Sequence, residues 1–141
     1  MKNIMDLLLE AGNFDILIDS IRKTGIDSIL TSPAEEVTLF APHNVAFDDV
    51  PEDVRDEYNN DPQLLGNLLL NHIVRGKYTY EDLADVDELV TLGGSRLKVD
   101  HSREPGLKVN NAIVEIPNYR ANNGVIHIID DIMKPMAVLA T

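Results

Sequence analysis

Two histidines stand inside apolar runs: His72, between Leu68-Leu69-Leu70-Asn71 and Ile73-Val74, and His127, within Val125-Ile126-His127-Ile128-Ile129. An imidazole in such a place is either a general base that needs a cleft and a poised partner, or a buried ring that needs hydrogen bonds on its nitrogens. The sequence displays no poised partner for either ring, so the buried, hydrogen-bonded role is expected. An enzyme using His72 or His127 is the weaker alternative. Nucleophilic catalysis has little support, since none of the five serines lies in a Gly-x-Ser-x-Gly elbow and there is no cysteine. No glycine-rich phosphate loop opens a helix. The four histidines, at 43, 72, 101 and 127, lack the His-Glu-x-x-His spacing that sets two zinc ligands on one helix face. Asp85, Asp87 and Glu88 cluster, as do Asp48, Asp49, Glu52 and Asp53, and carboxylates of this kind suit calcium. Neither cluster has the glycine of an EF-hand loop. A solvated acidic surface is the expectation, and a calcium or small-ligand module using the acidic loops stays as an alternative. No catalytic, cofactor or metal residue is assigned, and no cofactor is expected.

The chain has 141 residues, enough for one domain with a core of its own. With 24 Asp plus Glu against 12 Lys plus Arg the net charge is −12, which repels phosphate backbones and anionic lipid. Nucleic acid is therefore not expected as a partner. No apolar run reaches the ~20 residues that span a bilayer, so membrane insertion is not expected either. Asp6 and Glu10 interrupt what would be the apolar part of a signal peptide, so none is recognised in the chain as given. The lack of Cys and Trp, together with the acidity, points to a prokaryotic source, archaea included. A monomer is expected.

These side chains need a scaffold, and apolar spacing supplies its outline. Ile4, Leu7, Leu8 and Ala11 recur at helical period up to Gly12; Asn13 is expected to cap a second helix carrying Phe14, Leu17, Ile18 and Ile21, which Gly25 ends. Val37 to Phe40 reads as a strand ended by Pro42, with Asn44 or His43 capping a short helix that carries Ala46 and Phe47. Pro51 suits the start of an acidic helix with a solvated face. Asp61-Pro62 opens a helix with Leu64, Leu65, Leu68 and Leu69 in a stripe that His72 continues. Thr79 to Asp82 offers a near-capping box. From Glu88 the period becomes that of strands, with turns at Gly93-Gly94 and Asn110-Asn111, a polar loop at 101–106, a strand from Ala112 to Ile116 ended by Pro117, and a turn at Asn123-Gly124. Gly124 is expected to hold a turn conformation with positive φ. Helices first and strands later predict an α+β fold.

Three segments then carry a family resemblance. Thr38-Leu39-Phe40-Ala41-Pro42-His43-Asn44-Val45-Ala46-Phe47 resembles Thr-Val-Phe-Ala-Pro-Thr-Asn-x-Ala-Phe, the opening motif of fasciclin domains. Leu68-Leu69-Leu70-Asn71-His72-Ile73-Val74-Arg75-Gly76 resembles the central Leu-Leu-x-Tyr-His-Val-Val-Pro-Gly, and Asn123-Gly124-Val125-Ile126-His127-Ile128-Ile129-Asp130 the closing Asn-Gly-Val-Ile-His-Val-Ile-Asp. The likeness runs from about Asn3 to Pro135 and implies a single fasciclin-like domain over 1–141. It implies a β-sandwich wedge flanked by helices and, as function, a non-catalytic adhesion or protein-interaction module, secreted or at a cell surface. The partner would be a protein or a surface polymer. The structural motif positions would be Thr38, Phe40, Pro42, Asn44, Phe47, His72, Gly76, Asn123, Gly124, His127 and Asp130. In animal members the region around the central Tyr-His pair is implicated in integrin binding. Here it is Asn71-His72, and an acidic residue of some integrin-binding members is Asn118. The docking positions implied are therefore Asn71, His72, Asn118, Tyr119 and Arg120, with Asn71 standing where the family's tyrosine would be. Asp131-Ile132-Met133 mimics part of an integrin motif but lies out of register.

Overall fold

Asn3 opens the first helix by a reciprocal cap: its side chain accepts from the Asp6 amide at 2.9 Å, and Asp6 accepts from the Asn3 amide at 3.1 Å. Gly12, at φ 81°, ends α1 (Ile4–Ala11), and Gly25, at φ 77°, ends α2 (Asp15–Thr24). The computed structural model describes residues 2–32, 34–48, 50–100 and 107–132. Asp49, His101, the rest of the 101–106 loop, Met133 and Pro135 lie outside them.

The cap of α2 differs from expectation. Asn13 does not serve; the α2 N-terminus has no local side-chain cap, and the Ile16 amide donates instead to Asn44 Oδ1 at 3.1 Å. The Asn44 amide answers by donating to the Asn13 carbonyl at 2.8 Å. A cap drawn from a distant segment ties the helix to the end of the first strand, so Asn44 caps α2 while also starting α4 (Asn44–Asp48). A short α3 (Asp27–Thr31), not expected, follows Gly25. Next come β1 (Val37–Pro42), α5 (Glu52–Asn60), α6 (Pro62–Leu70), β2 (Ile73–Arg75) and α7 (Tyr80–Leu83). The strands β3 (Glu88–Val90), β4 (Arg96–Asp100), β5 (Lys108–Val109), β6 (Ala112–Ala121) and β7 (Gly124–Ile129) complete the chain.

The fold is α+β. Its seven strands form one sheet in the order β2-β1-β7-β6-β5-β4-β3, in which β1 and β7 alone are parallel neighbours. The two ends of that order meet: Val74 bridges Thr91, and the Leu92 amide donates to the Ile73 carbonyl at 2.8 Å. The sheet thus folds back on itself, with its two ends hydrogen-bonded to each other. One core, with Phe14, Leu17, Leu30, Leu39, Leu69 and Ile126, lies between the helices and the sheet. A second, with Phe40, Val74, Leu89, Leu97, Val109 and Ile129, lies within the fold of the sheet. Side chains alternate along a strand, so Leu39 and Ile126 enter the first core while Phe40 and Ile129 enter the second. That double burial explains why β1 and β7 are apolar almost throughout.

Two further differences concern the closing strands. The strand starting at Ala112 does not stop at Pro117 but continues to Ala121, because its pairing with β7 slips between Val114 and Ile116 and again between Ile116 and Tyr119. A proline without an N–H is tolerated in such an irregular stretch. Gly124 has a positive φ of 157°, yet it is a strand residue opposite Val37, not part of a turn. Glycine is needed there for closeness: a Cβ would stand 1.9 Å from the Val37 carbonyl oxygen.

Candidate functional site

His72 and Asn71 sit where α6 passes into β2. Asp61 accepts from the Leu64 amide and Pro62 fills the first turn, so the helix ends with the Asn71 amide donating to the Asn67 and Leu68 carbonyls. His72, 1% exposed, then turns inward and its Nδ1–H donates to the Leu68 carbonyl at 2.8 Å. Burial lowers its pKa from 6.5 to about 4, against the smaller opposing pull of that carbonyl, so the ring is neutral at neutral pH. Asn71 is buried as well; its Oδ1 accepts from Ser95 Oγ at 2.7 Å and Thr91 Oγ1 at 3.3 Å. The oxygen rests against the β3–β4 turn so closely that a Cβ on Gly93 would come within 2.4 Å of it. Asn71 and His72 thus bind the molecule to itself, and their side chains are almost wholly buried.

His127 faces Phe40 across the parallel β1–β7 pair, and the rings stack with centroids 5.7 Å apart. Its Nε2–H donates to the Tyr78 carbonyl at 2.7 Å, and its Nδ1 accepts from the Asn118 amide at 3.3 Å. Both nitrogens are satisfied. Burial again lowers the pKa, more than the Tyr78 carbonyl and the Glu81 charge raise it. Asn118 adopts φ 63°, which aims its Oδ1 at the Tyr80 amide (2.9 Å) and its Nδ2 at Glu81 (3.1 Å). Thr38, fully buried, donates to the Gly76 carbonyl and accepts from the Tyr78 amide, both at 2.8 Å. Gly76 turns there at φ 100°. At the other end of β7 the buried Asn123 accepts from the Ile4 amide at 3.1 Å and donates to the Leu30 and Ser32 carbonyls at 2.7 and 3.2 Å. Asp130 accepts from the Ile113 amide at 2.8 Å, while Pro42 and Phe47 are buried. The motif residues thus form hydrogen-bonded joints between elements. Proton transfer to a substrate requires contact with it, and neither imidazole has accessible surface to provide that.

What faces outward is different. β5 pairs with β6 only at Ala112 and Ile113, so among the described residues no strand pairs with the outer edge of β6 beyond that point. Along it Ile116 and Tyr119 are 49% and 42% exposed, and Arg120 is exposed. His43 pairs its Nε2 with Glu115 at 2.6 Å beside this edge. Among the described residues no group of three His, Asp or Glu side chains converges in a way that holds a metal ion, and no helix is long and apolar enough to cross a membrane.

One concave site was not foreseen. Between α2, α5 and α6 lies a cleft of about 370 Å³ walled by Ile16, Phe47, Val54, Tyr58, Leu65 and Leu68, with Arg55 at its side. Its sequence signal is the i, i+4 pair Val54 and Tyr58 on the acidic helix, which half-buries that face against α6. Burial raises the Tyr58 pKa, with Glu57 adding to the effect.

The model of the fasciclin domain matches residues 12–135. An uncharacterized protein of Synechocystis, sll1735, is 33% identical over 94% of this chain and 98% of its own length. Transforming growth factor-beta-induced protein ig-h3 of Sus scrofa is 30% identical over 95% of this chain, which spans only 20% of that protein. Cell surface glycolipoprotein MPB83 of Mycobacterium bovis is 32% identical over 72% of this chain and 45% of its own length. Among solved structures, a FAS1 domain pair from the insect cell adhesion molecule Fasciclin I superposes with a TM-score of 0.75 at 16% identity, covering 96% of this chain and 52% of the other.

Proposed function

The chain belongs to the fasciclin domain family, and on that premise we propose that it works as a non-catalytic adhesion and protein-interaction module. It acts at or outside the cell surface and binds a protein or a surface polymer. The observation that carries this reading is the division of labour between buried and exposed groups. The side chains with catalytic potential, His72 and His127, are sealed inside and hydrogen-bonded, while an aromatic, a branched aliphatic and a guanidinium stand exposed on one strand edge. Tyr and Arg are the side chains that most often anchor interfaces. MPB83, a relative at 32% identity, is named for the cell surface.

Docking is assigned to the outer side of β6 around Tyr119 and Arg120, with Asn118 fixing the backbone there through α7. The net charge of −12 favours a basic partner, with association weakening as salt rises. Affinity capture from a cell-surface fraction, with the native chain and a Tyr119→Ser/Arg120→Ser double variant side by side, tests this. A partner retained by the native chain and released by the variant is expected. Equal retention would move the interface elsewhere. Substrate turnover that disappears on replacing His72 or His127 in a folded variant would end the non-catalytic reading.

A further inference from the structure

Arg55 is an anomaly in a helix full of acids. Glu52 stands three residues before it, a spacing at which helical ion pairs form, yet Arg55 has no carboxylate partner among the described residues. Its Nε is buried and has no hydrogen-bond acceptor. Arg55 is the one cation among the described residues that line the cleft. The acids of α5, Glu52, Asp53, Asp56 and Glu57, are exposed and lie off the face made by Val54, Arg55, Tyr58 and Asn59, which lines the cleft. Asp131 also reaches the cleft, but its oxygens already accept from Asn111 Nδ2 at 3.0 Å and the Ile132 amide at 2.8 Å.

We propose that this cleft binds a medium-chain fatty acid, its hydrocarbon lying against Phe47, Val54, Leu65 and Leu68 and its carboxylate accepting from the Arg55 guanidinium. The volume of about 370 Å³ is of small-ligand size, since such sites run from ~300 to 1,000 Å³. The walls are apolar apart from a few groups, which suits a long hydrocarbon with one polar end. A guanidinium forks onto a carboxylate through two parallel hydrogen bonds, so an acid head fits Arg55 better than an ester or alcohol. The negative charges of α5 and Asp131 keep polyanions out. A basic peptide would have to set its own cations against Arg55. The site is independent of the β6 edge, and its failure would leave the adhesion reading as it stands.

The test is titration of the 141-residue chain with decanoate, followed by calorimetry and by amide shifts in nitrogen-15 spectra. Saturable binding of one decanoate per chain is expected, with the largest shifts at Ile16, Val54 and Leu68. Arg55→Met should weaken it by about tenfold or more, as loss of a charge-assisted pair predicts. Methyl decanoate on the unaltered chain should show the same weakening, an arm that does not depend on the variant folding. The proposal is overturned if no saturable binding occurs, or if the shifts map to another part of the surface. Equal affinity for acid and ester would make the cleft a nonspecific apolar sink and would also overturn it. So would cleft contacts from residues 133–141 that decanoate does not displace, or a basic amphipathic peptide occupying the cleft where decanoate does not.

Discussion

Lowering the pH from 7.5 to 5.5 should destabilise this protein through His72, by an amount the geometry fixes. The folded ring has a pKa of about 4, whereas in the unfolded chain it returns to 6.5. Between those values the unfolded state binds the proton and the folded state refuses it, so stability is complete above 6.5 and falls as pH drops toward 4. At pH 5.5, one unit below the unfolded value and well above the folded one, the loss is about 1.4 kcal/mol. His127 shifts the same way, for the same reason of burial. The 24 carboxylates contribute a background of their own, which comparison with His72→Gln removes. Glutamine keeps a donor within reach of the Leu68 carbonyl but does not titrate. Urea unfolding followed by circular dichroism at both pH values should therefore give a native midpoint that falls farther than that of the variant. With a slope of about 2 kcal/mol per molar urea the extra fall is roughly 0.7 M. Parallel falls in the two proteins would refute the buried, neutral assignment of His72, as would a ring-proton titration in the folded state centred near 6.5.

Other consequences rest on single joints. Asn123→Ala should cost about 3 kcal/mol or more, because it strands the Ile4 amide and the Leu30 and Ser32 carbonyls together, while Asn122→Ala, on an exposed neighbour, should leave the denaturation midpoint almost unchanged. Gly124→Ala should cost more than about 2 kcal/mol, since the new methyl meets the Val37 carbonyl of the adjacent strand; Gly94→Ala, at φ 87° with nothing within 4 Å, should cost only the left-handed backbone penalty of ~1–2 kcal/mol. Asn44→Ala should lower stability by about 1 kcal/mol and raise hydrogen exchange in the first turn of α2, with the rest of the helix unaffected.

Local rules account for most of the helices and for the burial of the two histidines. Asp61-Pro62, Thr79 with Asp82, and the glycines at 12 and 25 act on their own neighbours, so their effect is readable from a few adjacent residues. His72 and His127 are readable too, because a polar ring in an apolar run faces the core whatever the topology. Asn44 is different. Its partner is an amide 28 positions away, and the nearer Asn13 has the better local claim to the cap. The continuation of β6 through Pro117 is hidden for a related reason: only its pairing with β7 shows that the ladder slips at that point and needs no donor there.

Asn71 shows how a distant segment can cover a polar residue of a motif. Asn71 follows a leucine-rich helix and precedes a strand, a place where a polar side chain is commonly exposed. The returning β3–β4 turn covers it instead, because Thr91 and Ser95 supply donors for its oxygen and Gly93 leaves room for it. The same folding-back that closes the sheet through Val74 and Thr91 buries Asn71. Tyr119 and Arg120 are exposed: β5 is only two residues long, and among the described residues the rest of the β6 edge has no strand partner. Exposure along that edge is therefore a property of strand length and pairing among the described residues.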